Sequence, residues 1–252
     1  MLIRSWRIKG ENRGTLIAGE MFANPIVDKL RQRIDCLEEV QRRFSRIISI
    51  ADAVDCRLPY GGLPAGCIHE VKGAGLASAI AFAAILSARV AGDRGNILYI
   101  APDRSHYPLG LLPYGVKLDR LLYVSARRPQ NLIWAVLEAL RCRQVSSVIA
   151  LAGNLDLTES RRLQLAAETS GATGFLLGNM ASGGIAAPIT RWKISPIAGG
   201  SERSFDEPIW ALELLYSRGG QPGKWMLEWR GRELSAIPSS PVKQAGQKAL
   251  AG

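Results

Sequence analysis

Cys67-Ile-His-Glu-Val-Lys-Gly-Ala-Gly-Leu-Ala-Ser-Ala-Ile-Ala-Phe-Ala-Ala-Ile-Leu-Ser-Ala-Arg-Val-Ala91 is the stretch that decides the fold. Cys67 to Val71 is short and apolar and reads as a strand. Lys72 to Ser78 follows as a glycine-containing loop, and Ala77 to Ala91 is apolar on nearly every side until Arg89, as a buried helix is. Strand, loop and helix in that order open a βαβ unit. Downstream the rhythm repeats. Asn96 to Ala101 and Arg120 to Val124 read as strands, and Pro129 opens a helix at the first-turn position, where its missing N–H costs nothing. Leu132, Val136 and Leu140 form one row of that helix, with Ile133 and Leu137 beside it. Val145 to Ala152 is a fourth strand, Asp156 or Thr158 caps a helix that stops at Gly171, and Thr173 to Gly178 is a fifth strand. Short apolar strands alternating with helices predict an α/β fold: a parallel sheet with helices on both faces and right-handed crossovers.

The flanks differ. Upstream, Ile26, Leu30, Ile34, Leu37 and Val40 fall three or four residues apart, so Pro25 to about Ile50 reads as an amphipathic helix with a charged outer face. It serves either as a docked, solvated element or as a partner-binding arm. The turn-rich link Leu58 to Gly66 then leads into the body. After Gly178 the spacing changes: Ile189 to Ile194, Ile209 to Ser217 and Lys224 to Arg230 read as strands, the last two joined by Arg218-Gly-Gly-Gln-Pro-Gly223, a hairpin signature. Trp192, Trp210, Trp225 and Trp229 supply aromatic area there, as core or as binding surface. From Ser235 the chain is small, polar and Pro/Ser-containing and reads as a disordered tail. The expected organisation is a helical appendage over 1–57, an α/β core over 58–188, a β-rich extension over 189–234 and a tail over 235–252, with no internal repeat.

Composition bounds the function. The 252 residues are 47% hydrophobic and 21% charged, a globular balance that argues against wholesale disorder. Lys and Arg number 32 against 22 Asp and Glu; the excess of +10 suits a nucleic acid or another acidic surface as partner and says nothing about fold. Cys36, Cys56, Cys67 and Cys142 form no CxxC pair and no Cys/His set that completes a zinc site, so they read as reduced thiols. The longest charge-free apolar stretch, Gly73 to Ala88, is too short and too broken by glycine and serine to span a bilayer. The first residues lack the apolar core of a secretion signal. A soluble cytoplasmic protein with no membrane partner is expected.

Ligands of a doubly wound sheet bind beyond the carboxyl ends of its strands, and a glycine loop before a helix is where a phosphate lies. A working loop of this kind reads GxxxxGK[ST]. Counted from Gly73, with Gly75 inside the loop, the second glycine falls on Ser78, the lysine on Ala79 and the hydroxyl on Ile80. The phosphate-gripping and magnesium-holding side chains are therefore missing, and Lys72 precedes the loop. Past the fourth strand stand Ala152 and Gly153 where a metal-binding carboxylate belongs, with the first carboxylate at Asp156. Asp103 ends the second strand and reads as a turn or capping residue, or as a lone carboxylate near the loop. His69 falls within a strand, where it reads as a satisfied core residue, and His106 in a turn; no GxSxG elbow occurs. No catalytic residue, metal or cofactor is expected.

The run from Gly61-Gly-Leu-Pro-Ala-Gly-Cys-Ile-His-Glu-Val71 to Gly178, with Ile97-Leu-Tyr-Ile-Ala-Pro-Asp103 and Leu112-Pro-Tyr-Gly-Val-Lys-Leu-Asp-Arg-Leu-Leu122, resembles the core of RecA-type recombinases. Within them, Arg127 to Cys142 and Leu155 to Glu168 are similar to the ImuA family, as is the hairpin around Trp210 and Trp225. The resemblance covers roughly residues 58 to 232. It implies a RecA-like sheet and an SOS-regulated accessory role in translesion synthesis. It also implies action with an ImuB-like protein, with RecA and, indirectly, with an error-prone DnaE-type polymerase, and a place near the nucleoid when DNA is damaged. The substitutions at Ser78, Ala79, Ile80 and Ala152 depart from RecA and set nucleotide-dependent filament formation aside. Surfaces for docking or for DNA are the pairs Arg127/Arg128, Arg141/Arg143 and Arg161/Arg162, each otherwise a solvated helix end. Three further readings stay open: a SulA-like inhibitor of cell division, an ATPase with Lys72 and Asp103 standing in, and a DNA-binding module.

Overall fold

A computed structural model of the chain describes residues 46–103, 108–180, 184–186, 188–197 and 207–237. Among these, β3 (Ile68–Gly73), β4 (Asn96–Ala101), β5 (Leu121–Ser125), β6 (Val145–Ala150) and β7 (Thr173–Asn179) are the parallel strands expected. They alternate with α2 (Leu76–Ala91), α3 (Pro129–Arg141) and α4 (Leu157–Ser170). β8 (Thr190–Ile197) continues parallel to β3, and β9 (Ile209–Ser217), β10 (Gly223–Arg230) and β11 (Glu233–Ile237) extend the sheet antiparallel. The strand order is β11-β10-β9-β8-β3-β7-β6-β4-β5, so β3 lies at the centre, between β7 and β8.

Alternation along each strand sorts the core into two layers. Val71, Tyr99, Ile149, Phe175 and Trp192 face α2, whose Ile80, Phe82, Ile85 and Leu86 are all buried. Ile68, Ile100, Val148 and Leu176 face the opposite way, toward Leu132, Val136 and Leu140 of α3 and Leu163 and Ala167 of α4. A helix apolar all round fits α2 because the sheet, a 3₁₀ turn over Pro108–Tyr114 and the Ile47–Ile48 segment all pack against it. Ser87 of α2 accepts from the Ser147 hydroxyl of β6 at 2.8 Å. Three of the four hairpin tryptophans, Trp192, Trp210 and Trp229, are core residues, and Trp225 is half-buried with its Nε1 donating to the Ala53 carbonyl at 2.9 Å.

α4 begins at a capping box. The Asp156 carboxylate accepts from Glu159 N at 2.7 Å, and the Glu159 carboxylate accepts from Asp156 N at 3.1 Å. Gly171 ends the helix in the left-handed region, φ 84°. Asp156→Ala is expected to lower stability by about 1 kcal/mol, read as a lower urea midpoint at unchanged slope.

Three boundaries differ from expectation. Residues 46–57 are part of the body. β1 (Ile47–Ile48) pairs with β2 (Leu63–Pro64), a short helix α1 spans Asp52–Asp55, and Ile50 and Val54 belong to the main core. Arg46 donates to the Arg89 and Val90 carbonyls at 2.8 and 2.6 Å, and Arg89 donates to the Ser49 and Ile50 carbonyls, stitching this segment to the open end of α2. The stretch 46–50, expected as the end of a helix, is not helical, with Ile47–Ile48 a strand; the rest of that expected helix, Pro25 to Ser45, lies outside the described residues, as does His106. At the other end, β11 runs three residues into the expected tail. It is turned back on β10 by Gly231 and Arg232, φ 57° and 69°, and buries Leu234. Arginine is not a residue by which such a turn announces itself, which is why the strand was not read. The rest of the expected tail, from Pro238, lies outside the described residues. Finally, β3 extends two residues beyond Val71, with consequences for the expected loop.

Candidate functional site

Lys72 and Gly73 are paired strand residues, in register with Gly178 and Asn179 on one side and Lys193 and Ile194 on the other. Only Ala74 and Gly75 separate β3 from α2. Ala74 N donates to the Ile194 carbonyl at 3.0 Å, which ties this turn to β8. Gly73 is a glycine because the turn folds back on it: a Cβ there would stand 2.4 Å from the Gly75 carbonyl oxygen and 3.1 Å from the Ala79 Cβ. Ser78, Ala79 and Ile80 sit in the first turns of α2 and point into the core, at 7%, 0% and 6% exposure. Beyond β6, Ala152 is likewise buried. Asp103 is exposed after β4, its carbonyl accepting from the Tyr123 hydroxyl.

A charged cluster occupies the carboxyl end of β3. Glu70 is 2% exposed. One carboxylate oxygen accepts from Ile185 N at 3.2 Å and lies 3.8 Å from Lys72 Nζ; the other accepts from Arg191 Nε. Arg191 also donates through Nη2 to the Ile185 carbonyl at 2.6 Å. The loops following β6 and β7 are drawn in alongside: Leu155 bridges Ile185, and Gly184 N donates to Asn154 Oδ1 at 3.3 Å. Lys72 thus points into an internal ion cluster, not toward the α2 N-terminus. The cluster was not foreseen, although a glutamate inside an apolar strand was its signal.

On the other side of β3, His69 is fully buried and its bonding direction is fixed. The Pro64 carbonyl can only accept, so Nε2–H donates to it at 2.9 Å and the neutral ring's Nδ1 accepts from the Thr190 hydroxyl at 2.7 Å, whose oxygen accepts from Trp192 Nε1 at 2.7 Å. Burial holds the imidazole neutral, lowering its pKa to about 4 against the bond to Pro64. The expected role as a satisfied core histidine is met.

The six arginines separate. Arg127 and Arg128 are exposed at the start of α3. Arg141, Arg143 and Arg162 line one cleft between α3 and α4 with Leu165 and Thr169; Arg161 is exposed on α4 but does not line it. Arg162 also lines a neighbouring cavity of about 220 Å³ with Ile133, Trp134, Leu137 and Leu163, so the two form one groove along parallel helices. Trp134 is 64% and Leu165 65% exposed at this groove. Trp134 stands off the two apolar rows of α3, a tryptophan on an otherwise polar face, and that was the signal for it. Among the described residues no three His, Cys, Asp or Glu side chains gather as a metal site, and no helix is long and apolar enough to cross a membrane.

A central parallel sheet with helices on both faces and an antiparallel extension beyond β8 makes this an α/β protein consistent with the RecA-like fold. The chain belongs to the ImuA family: over 212 residues it is 35% identical to Protein ImuA of Caulobacter vibrioides strain NA1000 / CB15N, covering 76% of this chain and 87% of that relative. Protein ImuA of Caulobacter vibrioides strain ATCC 19089 matches to the same extent. The chain matches no family model.

Proposed function

We propose that this protein is a non-catalytic accessory factor of damage-induced mutagenesis that works by docking an ImuB-type protein, with RecA as a second partner. Membership of the ImuA family supports the setting. The observation that carries the non-catalytic reading is the passage from β3 to α2. Two residues are too few to wrap a phosphate in backbone amides, and the positions that should present lysine and hydroxyl lie buried against the sheet. Lys72 offers no replacement, because it is 3.8 Å from Glu70 in a cluster facing elsewhere. Docking needs no such chemistry, and the exposed groove of α3 and α4 offers apolar and basic surface together.

The expected outcome is twofold. Titration with labelled ATP and Mg²⁺ gives no saturable binding up to about 1 mM, weaker than about −4 kcal/mol, and purified ImuB-type protein from the same bacterium co-elutes with the full chain. Submillimolar ATP binding abolished by Lys72→Ala would restore the ATPase reading, and failure to co-elute would remove the adaptor reading.

A further inference from the structure

The α3–α4 groove is graded in character. At the end nearer the start of both helices Ile133, Trp134, Leu137 and Leu163 line the 220 Å³ cavity together with Gln130, Arg162 and Glu159, whose carboxylate is engaged in the α4 capping box. At the other end Arg162, Arg141 and Arg143 converge around Leu165. Arg141 bonds Glu138 at 3.0 Å, an exposed pair that yields readily to a competing carboxylate. A tryptophan and a leucine each about two-thirds exposed, flanking a groove, are the arrangement of a binding anchor; single exposed aliphatics elsewhere need no such account.

The charge identifies the occupant by exclusion. Residues 238–252 contain two lysines and no Asp or Glu, and residues 1–45 contain nine Lys or Arg against six Asp or Glu. Neither terminal stretch complements a groove floored by arginine, and a second copy of a chain at +10 is no better matched. Two parallel helices with a groove between them suit a third helix lying along it, one apolar stripe downward.

The geometry points to the α3–α4 groove as the docking site for an acidic amphipathic helix of another protein, its aromatic or aliphatic anchor seated beside Trp134 and its carboxylates on Arg162, Arg141 and Arg143. This rests on the adaptor reading above and gives it a partner chemistry. Arginine suits the task because its planar fork binds carboxylate through two parallel bonds.

The test uses the full chain and a fluorescein-labelled peptide of about 18 residues, roughly five helical turns, with Leu and Trp along one stripe and Glu on the others. A second peptide carries Lys in place of Glu. Anisotropy is expected to show saturable binding of the acidic peptide alone, weakened about tenfold or more between roughly 50 and 500 mM salt. Trp134→Ala, and Arg141→Glu with Arg162→Glu, each reduce it about tenfold or more, while the doubly reversed variant gains affinity for the Lys peptide. These positions are exposed, and unchanged thermal melting confirms that each variant folds. Equal binding of both peptides, no binding of either, or full affinity in both variants overturns the assignment. So does single-stranded DNA bound at the same residues in preference to the acidic peptide. Loss of ImuB-type co-elution with peptide binding intact would remove the adaptor reading and leave the groove standing.

Discussion

Glu70→Ala is expected to cost about 3–5 kcal/mol of unfolding free energy, the range for breaking a buried ion cluster from one side. The loss comes less from the attraction removed than from what is left. Lys72, with its side chain 10% exposed, loses the carboxylate 3.8 Å from its Nζ, and Arg191 loses the acceptor of its Nε. Ile185 N is orphaned as well, so the loop that bridges Leu155 loosens. Glu70→Gln, which can still accept from Ile185 N, should lose less. Pairing Glu70→Ala with Lys72→Ala should recover part of the loss, because it also removes the ammonium that faced Glu70. Urea unfolding of the three variants checks the order; a double variant as weak as Glu70→Ala alone would mean that Lys72 contributes nothing to the cost.

The second large effect is one of pH. The folded chain holds His69 neutral down to about 4, whereas an unfolded histidine takes up its proton near 6.5. Between those values the unfolded state binds more protons, so stability falls as pH falls. The contribution is complete above about 6.5, is lost progressively as the pH drops toward 4, and changes no further once both states are protonated. Over the full window it amounts to about 3 kcal/mol. Carboxylates add their own slope below about pH 5, so the reading is a difference: His69→Asn, which cannot titrate there, should unfold with a flatter pH dependence than the parent between 6.5 and 5. Identical slopes would show that the ring is not held neutral.

The parallel half of the sheet was legible because its strands and helices each bury a whole face, and a period of two or of three to four repeats across every one of them. Gly171 and Asp156 were legible as local signals whose partners lie within a turn. β1, β2 and β11 were not: two-residue strands carry no period, and β11 follows a turn that places arginine at positive φ. The grouping of the candidate surfaces was legible only in part. Sequence groups arginines by adjacency; Arg141 and Arg143 do share a cleft, but α4 turns Arg161 away from Arg162. The structure instead joins Arg162 to Arg141 and Arg143 across two helices, leaves Arg161 outside, and puts Arg127 and Arg128 at the start of α3. The cluster at Glu70 needed β8 and the segment before it, neither of which the spacing around β3 could bring near.

The tight turn at Ala74 and Gly75 limits what could be rebuilt at the start of α2. Lysine placed at position 79 and a hydroxyl at 80 would land in the apolar layer beneath the sheet, the ammonium stripped of water and without a counter-charge. Ala79→Lys and Ile80→Thr would therefore unsettle the core without creating a grip on phosphate.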